Sequence, residues 1–246
     1  FEILRLRPGG VDFGFEKLCT YDEIQRCFTE SRFGPSHLYP QRIRDISGLH
    51  NEDPNNKWMG ELILNLKLSH DVFFSPNKTE TIASINAFYK LFDKNLSKNP
   101  AQLKAEGIDL NAQIDQVVNN NIFLKILLPA FGRVNIISFR NKIDAESTLL
   151  IIALVRYKQD TGAFPEPLDK LVEKGYIKQI PVDPFSDKPI AYRKADGNFL
   201  LYSWGSNLKD DDGQIAHDEK GKPKRFADEG DWVFWPLVDS RYQQIK

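Results

Sequence analysis

The densest concentration of hard oxygen donors in this chain lies in one short segment, SNLKDDDG, where Asn207, Asp210, Asp211 and Asp212 run up to Gly213. Asp228 and Asp231 return just ahead of an apolar run, DWVFW. Carboxylates, a side-chain amide and backbone carbonyls in a glycine-bounded loop are the donors a hard cation such as calcium takes, about six to eight oxygens per ion. The spacing is not that of an EF-hand, which alternates its ligands and ends on a distal glutamate. The competing reading is a solvated acidic turn, because Asp, Asn and Gly are also ordinary turn residues. The insertion from His217 to Arg225, with Lys220, Lys222, Lys224 and Arg225, offers counter-charges that would neutralise the loop by ion pairing, although exposed pairs contribute little.

Other chemistries have less to stand on. His37, His50, His70 and His217 are scattered, without partners at metal or triad spacing. Ser203 and Ser206 flank Gly205, yet there is no Gly-x-Ser-x-Gly elbow, and neither a phosphate loop nor a dinucleotide fingerprint appears. Cys19 and Cys27 are too few for a disulfide framework and read as half-buried thiols. These absences predict a protein that is not an enzyme. A net charge of −1 removes the electrostatic case for nucleic acid. No apolar run reaches the length of a membrane span, and no signal peptide opens the chain; it starts on Phe1, which leaves room for an anchor or signal ahead of it. The triplets at Asn77 and Asn95 match glycosylation acceptors, a pattern that arises often by chance.

The elements that must hold the acidic loop divide the chain in two. Residues 1–121 read as mostly helical: Thr20 is a candidate N-cap for a helix from Tyr21 with Glu23 completing a capping box, Arg42–Leu49 has helical character, and Thr79–Leu96 repeats Ile82, Ile85, Phe88 and Leu91 at helical spacing. Phe1–Phe15 fits a short edge strand or an arm, and Lys57–His70 supports both helix and strand: its residue types prefer helix, and its alternation is the cleaner period. Residues 122–246 begin with one long helix, Ile122–Asp160, kinked near Pro129 and Gly132 and stopped by Thr161 and Gly162. A short helix follows over Leu168–Lys174, then strands at Pro189–Arg193 and Asn198–Ser203 around an Asp196-Gly197 turn, and a last strand at Trp232–Leu237. The expected class is α+β, a long helix packed on a small antiparallel sheet. Trp204, Trp232, Phe234 and Trp235 are expected to fill its core.

Residues from about Pro129 to Pro236 resemble the globular part of the major pseudopilin of type II secretion systems. The resemblance rests on a long helix running into RYKQDTGAFP, on GYIKQIPVDPF followed by DKPIAYR, and on FLLYSWGSNLKDDDG followed by DWVFW. It implies a helix packed against a small antiparallel sheet and a loop after the YS-x-G strand that can hold calcium. On that arrangement Asn207, one or two of Asp210, Asp211 and Asp212, and Asp231 face the ion, with backbone carbonyls near Trp204 and Lys209 completing its shell. In the family the helix continues into an N-terminal membrane-embedded segment, whereas here Phe1–Asn121 precede it. The resemblance therefore implies a pseudopilin-like module carried by a larger periplasmic or extracellular protein, membrane-anchored or not, whose partners are proteins of secretion or envelope assembly. The alternatives are a binding module whose helical first half forms a groove for a peptide, lipid or glycan, and a hydrolase with dispersed catalytic residues.

Overall fold

A computed structural model describes residues 13–29, 36–47, 67, 70, 72–95, 97–118, 121–127, 129–195 and 197–236. The fold is α+β, and the chain forms two compact units. Among the described residues, one takes 13–97 together with 109–134, and the other takes 98–108 with the chain from Asn135 onward. The boundary expected between 121 and 122 differs from this in two places. Residues 98–108 leave the helical region to join the sheet-bearing unit, and 122–134 stay with the helices. Of the strand or arm expected over Phe1–Phe15, Phe13–Phe15 instead open a helix, and the remainder, with His50 and nearly all of Lys57–His70, lies outside the described residues.

The helical unit contains α1 (Phe13–Cys27), α2 (Pro40–Ser47), α3 (Lys78–Asn95), α5 (Leu110–Val118) and α6 (Ile122–Leu127). Its core gathers Ile24 from α1, Ile85, Phe88 and Phe92 from α3, Ile114 from α5 and Phe123 from α6. The helical period of α3 expected over 79–96 is present, and Asn77 starts it with a reciprocal pair: Glu80 N–H donates to Asn77 Oδ1 at 3.0 Å and Asn77 N–H donates to Glu80 Oε2 at 2.9 Å. Thr20 is not a cap. It lies inside α1, buried, with its hydroxyl 3.1 Å from Tyr89 Oη across to α3. Asn95 is only 3% exposed and donates to the Leu91 carbonyl at 2.9 Å, a position closed to glycosylation. Cys19 and Cys27 are both free, the first exposed and the second buried.

The sheet unit opens with α4 (Pro100–Ala105), whose Asn99 and Gln102 form a complete capping box ahead of a first-turn proline. Its main beam is α7 (Pro129–Thr161), of which the residues from Asn135 belong here. The expected single helix from Ile122 is two: α6 ends at Leu127 and Pro129 opens α7, because a proline lacks the N–H a helix interior needs and sits without cost in a first turn. Ile143, Leu150, Leu154 and Tyr157 recur at helical spacing along α7 and enter one core with Phe199, Leu201, Trp232 and Phe234 of the sheet. Burying a side chain such as Leu154 contributes about 2 kcal/mol. The helix stops where expected: Gly162 takes φ +85° and its N–H donates to the Lys158 carbonyl at 2.7 Å.

After the short α8 (Asp169–Glu173) come β1 (Val182–Asp183) and β2 (Lys188–Pro189), paired antiparallel. A three-stranded antiparallel sheet follows, with β4 (Asn198–Ser203) between β3 (Ala191–Ala195) and β7 (Trp232–Trp235). Ala195 faces Asn198 across the tight turn that the Asp196-Gly197 dipeptide predicts. The chain from Trp204 to Asp231 leaves β4 and returns as β7, and within it β5 (Ala216–His217) and β6 (Pro223–Lys224) make a small hairpin. The acidic segment therefore lies between the central strand and one edge strand, beside a register shift at Leu201/Tyr202.

Candidate functional site

Asp231 is the organising residue of the loop. It immediately precedes β7, is 1% exposed, and its Oδ2 accepts the N–H of Asp211 at 3.1 Å and of Gly213 at 2.6 Å. Its N–H in turn donates to the Gln214 carbonyl at 2.8 Å. The loop is thus folded back onto the start of the last strand. Its other oxygen, Oδ1, is buried and has no hydrogen-bond partner. Burial, against those two N–H donors and with Asp210 and Asp211 adding like charge, pushes this carboxyl up to about 6. A buried carboxylate oxygen without a donor costs free energy unless a proton or cation meets it.

Asn207 and Asp211 stand with it. Asn207 Nδ2 donates to Asp211 Oδ2 at 2.8 Å, and Asn207 Oδ1 accepts the Lys209 N–H at 3.0 Å, turning the chain through Leu208 at φ +57°. Asp210 points elsewhere: its Oδ1 accepts the Tyr202 hydroxyl at 3.0 Å and the Asp212 N–H at 3.1 Å. That contact, with burial as the larger cause, raises the Tyr202 phenol. Asp212 is exposed and itself occupies φ +57°, and Asp228 is exposed. Of the five expected ligands, Asn207, Asp211 and Asp231 are linked by hydrogen bonds, and Asp210 and Asp212 are not part of that chain of contacts. Among the described residues no group of three or more His, Cys, Asp or Glu side chains is placed to hold a metal ion. A calcium shell here would draw on the Asn207 amide and on backbone carbonyls beside the two carboxylates, a mixture calcium accepts.

Among the described residues no ion pair joins the basic insertion to the acidic loop. Arg225 instead reaches Asp144 on α7 at 2.7 Å and lies over the rings of Phe226 and Phe234, while Asp218 is held by the N–H groups of Lys220 and Lys222 within its own turn. Those N–H donors lower the Asp218 carboxyl.

Two supports of the loop carry no signal in the sequence. Asp183, in β1, is 1% exposed and accepts the Ser203 hydroxyl at 2.6 Å, the Trp204 N–H at 3.1 Å and the Phe185 N–H at 3.1 Å. Burial pushes its carboxyl up while these donors pull it down. It fixes the point where β4 gives way to the loop. The second support is α4: Asn99 and Gln102 donate to Asp187 at 2.6 and 3.1 Å, Ala101 N–H donates to the Pro184 carbonyl at 3.2 Å, and Lys104 Nζ donates to the Leu208 carbonyl at 3.3 Å. At the far side of the loop Gly230 takes φ +71°, and a Cβ there would come within 2.9 Å of the Ala216 nitrogen and the Gln214 carbonyl. Only glycine fits that crossing.

Of the four aromatic residues expected to fill the core, Trp232 and Phe234 do, while Trp204 and Trp235 are half-buried against it. Trp232 and Phe234 are buried, Trp232 Nε1 donates to the Ala227 carbonyl at 2.8 Å and Trp235 Nε1 to Asn198 Oδ1 at 2.7 Å. His37 is held through its backbone opposite Thr29, and His217 ends β5. Among the described residues no helix is long and apolar enough to cross a membrane. The chain matches no family model, no curated protein and no solved structure.

Proposed function

We propose that the sheet unit is a calcium-stabilised, pseudopilin-like assembly module in a non-enzymatic protein of the periplasm or cell exterior. The observation that carries this reading is the unpartnered Oδ1 of Asp231, buried inside a loop that closes the edge of a sheet packed on a long helix. Asn207, Asp211 and Asp231 are the side chains that would hold the ion, with backbone carbonyls near Trp204 and Lys209 and with Asp210 and Asp212 beside them. Calcium supplies no bond-breaking chemistry here; when bound it supplies a bridge between loop and strand. Asp231 anchors the segment through two backbone N–H groups, Asp183 fixes its entry, and Lys104 holds the Leu208 carbonyl. A surface loop ordered in this way is a contact platform for protein partners, in keeping with secretion or envelope assembly components.

The reading is tested by melting the full chain with calcium and with a chelator, and by fractionating cells that express the gene with its natural upstream sequence. Stabilisation by millimolar calcium together with recovery outside the cytoplasm is the expected result. No calcium effect removes the metal from the proposal, and recovery in the cytoplasm removes the assembly role.

A further inference from the structure

Residues of α7 and the segment from Tyr176 to Pro181 border an open groove of about 580 Å³. Its floor is Ala153, and on its rim Leu149 is 65% exposed and Ile152 52% exposed, an apolar edge beyond the core stripe of the same helix. Lys142, Glu146, Leu149, Ala153, Arg156 and Asp160 fall on one stripe of α7, at alternating spacings of four and three, a seam a facing helix can follow.

The order of residues on that stripe is its own complement in reverse. In an antiparallel pair of α7 helices, Lys142 of one copy faces Asp160 of the other, Glu146 faces Arg156, and Leu149 faces Ala153. All three pairings share one centre, Ile151, so a single two-fold axis satisfies them together and each occurs twice. The large Leu149 meets the small Ala153 at the groove floor, which lets helix axes approach to about 8–10 Å. A parallel pair in register would instead set Glu146 against Glu146 and Arg156 against Arg156. Glu146 is also poorly matched within its own chain: Lys142 stands 4.0 Å away, and burial raises the Glu146 carboxyl more than Lys142 lowers it.

We infer that this face of α7 is a two-fold interface for a second copy of the chain, with the two helices antiparallel, Leu149 of each seated against Ala153 of the other and Glu146 paired with Arg156 across the axis. The seam from Lys142 to Asp160 is about 27 Å long at 1.5 Å per residue. Affinity comes from burying Leu149 and Ile152. The charge pairs, near the rim, set direction and register.

Sedimentation equilibrium of the full chain tests this. The wild type is expected to dimerise. Leu149→Asp, at an exposed position, is expected to keep the wild-type circular dichroism spectrum and to give monomer at every concentration reached. Glu146→Arg and Arg156→Glu, made singly, are each expected to weaken the dimer at least tenfold, and the double exchange to restore it to within threefold of wild type. A wild-type protein monomeric at several hundred micromolar overturns the inference, including one that instead binds vesicles of phosphatidylglycerol and phosphatidylethanolamine through this face. So does a dimer indifferent to Leu149→Asp, or a double exchange that fails to rescue.

Discussion

Replacing Asp231 by Asn should stabilise the protein in the absence of calcium and abolish the benefit of calcium when it is present. Asp231 Oδ1 is buried without a partner while Oδ2 accepts two backbone N–H groups, and the carboxyl is pushed up to about 6 from an ordinary value of 3.8. A rise of about two units corresponds to about 3 kcal/mol against the ionised form in the cation-free fold, since each unit is about 1.4 kcal/mol. Because the folded-state value is the higher one, the folded state prefers the proton. That preference is fully present below pH about 4 and is lost as pH rises through about 6. At pH 7.5 in chelator, Asp231→Asn removes the charge and keeps an acceptor for the Asp211 and Gly213 N–H groups. The expected gain is about 1 to 3 kcal/mol, the lower figure applying if the new amide N–H group finds no acceptor. Urea unfolding followed by tryptophan fluorescence is the assay, since Trp204, Trp232 and Trp235 all report on this unit. The gain should shrink at pH 5, and saturating calcium should raise the wild type but not the variant. A variant less stable than wild type at pH 7.5 in chelator would refute the claim that Oδ1 lacks a donor.

Three further outcomes follow from the same contacts. Ser147 Oγ is buried on α7 without a partner, so Ser147→Ala should raise stability by about 1 kcal/mol, read as a higher urea midpoint at unchanged slope. Asp183→Ala strands the Ser203 hydroxyl and the Trp204 and Phe185 N–H groups in the interior and should cost about 3–5 kcal/mol in the same assay; a loss under 1 kcal/mol would show that water replaces the carboxylate. Glu146→Arg combined with Arg156→Glu should sediment as the wild type does, while either change alone should sediment as monomer at moderate concentration.

What the sequence made legible was local. The end of α7 at Thr161 is written in a Leu- and Ala-rich run followed by Gly162, and β4 spans Asn198–Ser203 as its alternation and the Asp-Gly turn require. In the sequence Pro129 reads as a kink, although a proline in a first turn begins a helix as readily as an interior one bends it. What was not legible depended on partners far along the chain. Thr20 resembles a cap until Tyr89, 69 residues away, takes its hydroxyl. Asp183 looks like one more turn residue in PVDP, and its weight comes from Ser203 and Trp204, 20 and 21 residues on. Residues 98–108 read as part of the helical half because nothing near them announces Asp187, 85 residues from Gln102, as the carboxylate they bind. Within the acidic loop, composition alone cannot rank four neighbouring oxygen donors. The folded chain separates Asp211, tied to Asn207 and Asp231, from Asp210, tied to Tyr202.

The measurement closest to the central claim is a calorimetric titration of the chelator-stripped full chain with calcium at pH 7.5, repeated on Asp231→Asn. The account predicts one ion per chain, with a dissociation constant of about 10⁻⁴ to 10⁻³ M, the range of extracellular calcium modules, and no binding to the variant. Heat indistinguishable from dilution for the wild type, or equal binding by both proteins, would contradict it.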